Sequence, residues 1–221
     1  MSDVELQAAE ILRVLDLASV VVFAITGALV ASRKQTDIVG FMWMGVITGV
    51  GGGTLRDLLL DAPVFWIVDP TPLALCLCAA GLVHFSAHLV ASRYRFLLYL
   101  DAFGMALVTT VGTAKALDMG TGPLVVVGMG VITAAVGGIL RDILGQEPSI
   151  LLRRDIYVTA AVLGSVTYVL ADAAGLARPE TTAIALFAGF ALRACAIRFD
   201  LFLPIFRPSP GRMPGHRGEV K

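Results

Sequence analysis

Residues 44–60 read MGVITGVGGGTLRDLLL, and residues 129–145 read MGVITAAVGGILRDILG. The two stretches lie 85 positions apart, align without a gap and agree at 11 of 17 positions. Within the first, Gly49 to Leu60 places a glycine run directly before an Arg-Asp pair in otherwise apolar sequence. In a soluble protein such glycines suggest a phosphate-cradling loop. Here the surroundings argue otherwise, because the chain is 57% hydrophobic and 15% charged, with a mean hydropathy of +0.83, the range of integral membrane proteins. Inside hydrocarbon every backbone polar group needs a partner, so glycines that loosen a helix are tolerated only against protein or a water-filled path. Intramembrane Arg and Asp are costly and read first as functional.

The 221 residues carry 17 Lys and Arg against 17 Asp and Glu. A net charge of zero gives no basic field for nucleic acid. The first ten residues hold three acids and no Lys or Arg, unlike the basic start of a cleaved secretory signal, so the first helix is expected to be retained. Cys76, Cys78 and Cys195 all fall in apolar segments and are expected to be small buried hydrophobes rather than a disulfide or zinc framework.

Windows long enough to cross about 30 Å of hydrocarbon predict seven transmembrane segments: 11–32, 38–60, 71–92, 95–117, 123–145, 155–174 and 181–203. The chain is therefore expected to be an all-α integral membrane protein with one transmembrane domain, 1–203. The Pro-, Gly- and Arg-rich residues 204–221 are expected to form a disordered tail. Cytoplasmic loops accumulate Lys and Arg. Arg33, Lys34, Arg93, Arg95, Arg153, Arg154, Arg207, Arg212, Arg217 and Lys221 fall on one side, and only Lys115 and Arg178 near the other. This predicts an outside N-terminus and a cytoplasmic C-terminus.

The offset of 85 also matches Leu15 with Leu100, Asp16 with Asp101, Gly27 with Gly112, Ala31 with Ala116, Thr36 with Thr121 and Pro63 with Pro148. Each unit, about 11–92 and 95–174, spans three segments. Three is odd, so the second unit enters the membrane from the opposite side, giving inverted-topology repeats with the seventh segment left over. In such folds broken helices meet near the midplane and form the solute path. Segments two and five are expected to break at Gly51, Gly52 and Gly53 and at Gly137 and Gly138. The carbonyls of Thr48, Gly49 and Val50, and of Thr133, Ala134 and Ala135, then turn toward the break and suit a transient potassium or sodium ion rather than a fixed metal.

Counting rise along each helix sets Asp16 level with Arg56, and Asp101 level with Arg141. Arg56 is expected to pair with Asp16 or Asp57, and Arg141 with Asp101 or Asp142, the unpaired acid of each set facing the path. Plainer readings stand beside these. Gly27, Gly81, Gly164 and Gly189 suit close helix packing, and Lys115 can snorkel at a helix end. His84 and His88 share a face without a third ligand and suit packing. Trp43 and Trp66 suit interfacial anchoring, Trp66 in a loop, and Arg193 and Arg198 suit headgroup contact. Thr48 and Thr133 either line the path or satisfy backbone carbonyls. HExxH, GxSxG and a P-loop lysine are absent, so the chain is not expected to be an enzyme or to need a cofactor.

The paired GGGTLRD and GGILRD, on seven segments with a doubled three-helix unit, resemble the bacterial trimeric intracellular cation channels over about residues 10–203. The same bacterial sequences are also grouped under a glycine-transporter-domain label. The resemblance implies a homotrimer in the bacterial inner membrane, one pore per subunit, monovalent cations with potassium foremost, and lipid as a partner. It maps the family's glycine kinks onto Gly51 to Gly53 and Gly137-Gly138, and a basic residue of the fourth helix onto Lys115. Animal members carry Lys-Glu-Val after the glycines where this chain has Thr54-Leu55-Arg56-Asp57, so their gating is not carried over. The alternative function is a secondary transporter of a small solute such as an amino acid, which uses the same architecture.

Overall fold

The computed structural model describes residues 3–90, 94–147 and 156–204. Eight helices follow one another in these residues: α1 (Asp3–Arg33), α2 (Ile38–Leu59), α3 (Phe65–Val68), α4 (Thr71–Val90), α5 (Tyr94–Asp118), α6 (Pro123–Leu144), α7 (Val158–Ala173) and α8 (Arg178–Phe199). Seven are long, and α3 is a four-residue turn that the hydropathy pattern did not predict. By length and composition α1, α2, α6 and α8 are each able to cross a membrane, while Thr71–Ser86 and Val158–Ala173 are shorter apolar stretches. Leu82, Phe85, Leu124 and Phe187 stand out from the bundle, each at least 70% exposed, as side chains that meet lipid do.

Local chemistry fixes the ends. Asp37 accepts the Gly40 amide at 2.8 Å and caps α2, and a proline opens α6. Both α2 and α6 close in the same way: Asp61 and Gln146 take positive φ, and the amides of Ala62 and Glu147 reach back five residues to the Asp57 and Asp142 carbonyls, each at 2.9 Å. These pairs obey the 85-residue offset, so the repeat extends into the caps.

The glycines do not break the helices. Segments two and five were expected to be interrupted at Gly51, Gly52, Gly53, Gly137 and Gly138, yet α2 and α6 run through them as continuous helices. A continuous helix keeps its backbone groups paired in apolar surroundings, and the missing side chains are used for close approach instead. A Cβ on Gly52 would collide with the Thr133 carbonyl, and one on Gly137 would come within 2.6 Å of the Thr48 carbonyl. Residue 48 thus meets 137 while residue 52 meets 133, so α2 and α6 cross antiparallel. Gly51 faces Leu140 and Gly53 faces the Phe65 ring.

The same economy packs each unit internally. Gly27 of α1 lies against Thr48, and Gly112 of α5 against Thr133; Gly45 lies against Ala80, and Gly130 against Ser165. The core between them is made of small and branched residues, with Ala24, Ala28, Cys76 and Ala80 on one side and Ala134, Tyr157 and Ala160 on the other. Helix α8 leans on α7 through the facing Gly164 and Gly189, 3.6 Å from a Cβ built on either, and on α5 through the edge-on pair Phe103 and Phe190.

Several smaller expectations change. Cys76 is buried but Cys78 and Cys195 are exposed, all three unpaired. Trp66 sits in α3, not in a loop, and its indole N–H donates to the Thr54 hydroxyl at 2.8 Å. His84 packs edge-on against Phe41 and Phe85; the His88 side chain lies outside the described residues, as do those of Arg93, Arg95, Arg153 and Arg154 and the expected tail from 205 onward.

Candidate functional site

Two charged clusters flank the α2/α6 crossing. The Arg-Asp pair stands near the C-terminal end of each helix, and the helices are antiparallel, so the clusters occupy opposite ends.

At the Arg56 end, the Arg56 side chain is 1% exposed and Asp57 is fully buried. Arg56 Nε donates to Asp57 Oδ1 at 2.7 Å, and Lys115 Nζ of α5 donates to the same oxygen at 2.8 Å. The second Asp57 oxygen accepts the Phe65 amide at 3.0 Å. That bond folds α3 back over the cluster and lays the Phe65 ring 5.7 Å from the Arg56 guanidinium, a cation–π distance. Asp16 of α1 is held less firmly. Its carboxylate stands 3.9 Å from Arg56 Nη1, too far for a hydrogen bond, and Asp16, Arg56, Phe65, Lys115 and Asp118 line a cavity of about 240 Å³. Lys115 is therefore an ion-pair partner of Asp57, not merely a snorkelling end group.

At the other end, one guanidinium does more. Arg141 Nη1 donates to Asp101 Oδ1 of α5 at 2.8 Å and to the Thr26 hydroxyl of α1 at 3.3 Å, while Nε and Nη2 reach Asp142 Oδ1 at 3.1 and 3.0 Å. The expected division into one paired and one unpaired acid does not occur here, because the planar fork of an arginine bonds both carboxylates at once. Val111 occupies the position that matches Thr26, and Val30 the position that matches Lys115.

Between the clusters the two helices are in close contact. Thr48 and Thr133 are buried, and each hydroxyl donates to the carbonyl four residues back, at 2.7 and 2.5 Å. Four of the six carbonyls expected to face a cation have other neighbours: those of Thr48 and Thr133 lie against the opposing glycines, that of Val50 accepts the Thr54 hydroxyl, and that of Ala134 accepts the Tyr157 hydroxyl at 3.1 Å. Gly49 faces the Cys76 sulfur of α4, and Ala135 is buried. The expected break is thus corrected to a close crossing of two continuous helices.

Two residues escaped the sequence reading. Arg193, expected at headgroups, is 3% exposed and its guanidinium lies 5.5 Å over the Tyr157 ring. The signal was present: Thr181, Ala185, Gly189, Arg193 and Ala196 form a stripe of helical spacing, the buried face of α8. Tyr157 had no such signal, standing just before α7 with no matching aromatic in the other unit.

Comparison with known proteins agrees with this architecture. The sequence profile of a family described as "Glycine transporter" matches twice, at residues 13–88 and 98–173, the same 85-residue step. An inner membrane protein of Escherichia coli K12, UPF0126 protein YadS, is 38% identical over 195 residues, 87% of this chain and 94% of the relative. The crystal structure of a TRIC trimeric intracellular cation channel orthologue from Rhodobacter sphaeroides superimposes with a TM-score of 0.84 at 47% identity, covering 86% of this chain and 99% of that one. A second solved structure, described for conductance through TRIC cation channels, gives 0.80 at 30% identity over 89% and 97%. The chain is an all-helical membrane protein and belongs, as its doubled Arg-Asp motif suggested, to the bacterial trimeric intracellular cation (TRIC) channel family.

Proposed function

We propose that each subunit conducts monovalent cations, potassium foremost, along a path that runs from the Arg56 cluster through the α2/α6 crossing to the Arg141 cluster. The observation that carries this reading is the pair of carboxylate clusters at opposite ends of one antiparallel crossing. A permeating cation meets Asp16 and Asp57 at one end and Asp101 and Asp142 at the other, and fixed acids concentrate cations at a pore mouth. The reciprocal glycine contacts support two inverted three-helix repeats, with α8 outside them. The close crossing is then a closed state, and conduction requires α2 and α6 to separate at Gly52 and Gly137.

The reading includes one pore per subunit of a homotrimer, lipid around it, and no catalysed reaction. The Lys- and Arg-rich connections favour the Arg141 end, with the C-terminus, on the cytoplasmic side of the bacterial cell membrane. Residues 1–203 act as one transmembrane unit. The family description favours a second reading, a carrier for a small solute such as glycine. Planar-bilayer recording of purified protein separates the two. Discrete unitary currents reversing near the potassium equilibrium potential are expected; silence, together with saturable uptake of labelled glycine into proteoliposomes, would overturn the channel.

A further inference from the structure

The Arg56 end carries a short helix, α3, whose sequence the second unit does not repeat. Its first two residues hold it down at three points. The Phe65 amide donates to Asp57 Oδ2 at 3.0 Å, the Phe65 ring lies 5.7 Å from the Arg56 guanidinium, and the Trp66 indole N–H donates to the Thr54 hydroxyl at 2.8 Å. That hydroxyl donates in turn to the Val50 carbonyl at 2.7 Å, which leaves its lone pairs to the indole. Gly53 makes the seat, since a Cβ there would come within 2.7 Å of the Phe65 ring. The other two residues of α3, Ile67 and Val68, are 67% and 70% exposed. A segment held by so few contacts belongs to the low-stability end of a fold and opens locally. In the second unit Ile139, Ile150 and Leu151 hold the positions that match Thr54, Phe65 and Trp66, so hydroxyl, ring and indole are all replaced by aliphatic side chains.

Consecutive residues of α3 face two different spaces. Phe65 lines the 240 Å³ cavity with Asp16, Arg56 and Lys115, while Trp66 lines an apolar groove of about 560 Å³ with Val50, Thr54 and Leu140. The helix is therefore the wall between a charged mouth and an apolar groove. Asp57 is the acid behind that wall. Arg56 Nε and Lys115 Nζ occupy its Oδ1, and the Phe65 amide occupies its Oδ2.

We infer that α3 is a strap across the Arg56 mouth, with Phe65 and Trp66 as positioning residues, and that its lifting turns Asp57 Oδ2 toward incoming cations. The Trp66–Thr54 bond is the latch. With the strap down, the Phe65 amide holds that oxygen and the ring covers the guanidinium; with it up, the amide is withdrawn and the oxygen is free to meet a cation. The latch residues occur in one unit only, so the two ends admit cations differently.

The strap stands on the structure, its effect on current rests on the channel reading, and two measurements keep these apart. Hydrogen–deuterium exchange of the detergent-solubilised protein reads the Phe65 amide. Slow exchange across residues 64–68 is expected in the wild type. Trp66→Phe and Thr54→Val each remove the latch and are expected to speed it about fivefold, the population shift that one hydrogen bond produces, with exchange around Gly52 unchanged. Thr54→Ser keeps the hydroxyl and the wild-type rate, and the Trp66→Phe/Thr54→Val double variant exchanges no faster than either single one. Unprotected amides in the wild type, unchanged exchange in both single variants, or a Thr54→Ser rate equal to that of Thr54→Val overturns the latched strap. Planar-bilayer recording reads the consequence. Trp66→Phe and Thr54→Val are expected to raise cation current entering from the Arg56 end relative to the opposite direction, and Thr54→Ser to keep the wild-type ratio. An unchanged ratio overturns the functional half. Should Trp66→Phe fail to assemble, Thr54→Val, the same shape without the hydroxyl, carries both measurements. Silence of the wild type overturns the channel reading and leaves the exchange rates to decide the strap.

Discussion

The Arg56 and Arg141 ends carry the same Arg-Asp pair and hold it differently. At the Arg141 end one guanidinium bonds two carboxylates and the Thr26 hydroxyl, all buried. At the Arg56 end Asp57 is shared between Arg56 and Lys115, and Asp16 stands off beside a cavity. The motif is not the source of this difference. The first helix of the opposite unit is: Thr26 against Val111 on one comparison, Val30 against Lys115 on the other. Duplication fixed where the charges sit, and substitutions on the facing helix set how tightly they are held.

The largest test removes the comparison altogether. Gly52→Val places a branched side chain into the Thr133 carbonyl, where backbone cannot move aside cheaply. The protein is expected to lose folding or assembly, seen as loss of a monodisperse peak in size-exclusion chromatography. Gly81→Ala, whose Cβ meets only the end of Met42 at 3.7 Å, is expected to change stability by less than about 0.5 kcal/mol. Comparable losses in both would show that the crossing is not the tight point.

Next comes the arginine pair. Arg141→Ala removes the guanidinium that bonds two buried carboxylates and is expected to cost about 3–5 kcal/mol. Arg56→Ala leaves Lys115 on Asp57 and is expected to cost clearly less in the same denaturation series. Equal losses would erase the asymmetry.

A subtler contrast lies in the acids. Asp16→Asn, at a carboxylate without a hydrogen bond to Arg56, is expected to change stability by less than about 1 kcal/mol while reducing unitary current. Asp101→Asn removes a 2.8 Å bond to Arg141 and is expected to lower Tm more. The reverse order would move the loosely held acid to the other end.

The smallest effect concerns the α3–α4 junction beside the Arg56 end. There the Thr71 hydroxyl and amide bond Asp69, holding its carboxyl below the usual value of 3.8. A lowered native pKa stabilises above the unfolded value and is lost as pH falls through the native one. Asp69→Asn is therefore expected to lower Tm slightly at neutral pH, and the gap to the wild type to close in acid.

How much of this was legible in the sequence depends on the residue. The long helices followed from hydropathy, and Asp16, Arg56, Asp57, Asp101, Arg141 and Asp142 stood out because charge in apolar sequence is conspicuous and the offset named their counterparts. The glycines misled. Tandem glycine permits a break and permits close contact, and only a neighbour's position distinguishes them; the neighbours here are the Thr133 and Thr48 carbonyls, more than 80 residues away. Arg193 misled for a related reason, since the same side chain serves at a headgroup or in a core according to which way its helix is turned.

The sequence by itself determined a membrane chain with a doubled unit and a fixed set of intramembrane charges, because composition, hydropathy and spacing are properties of a line of residues. The tertiary structure alone decided that α2 and α6 stay continuous and pack closely against each other, that Lys115 reaches Asp57, and that Arg141 holds both of its acids. Those are matters of distance between segments remote in the chain, and hydrogen bonds, unlike hydropathy, fade within an ångström or two.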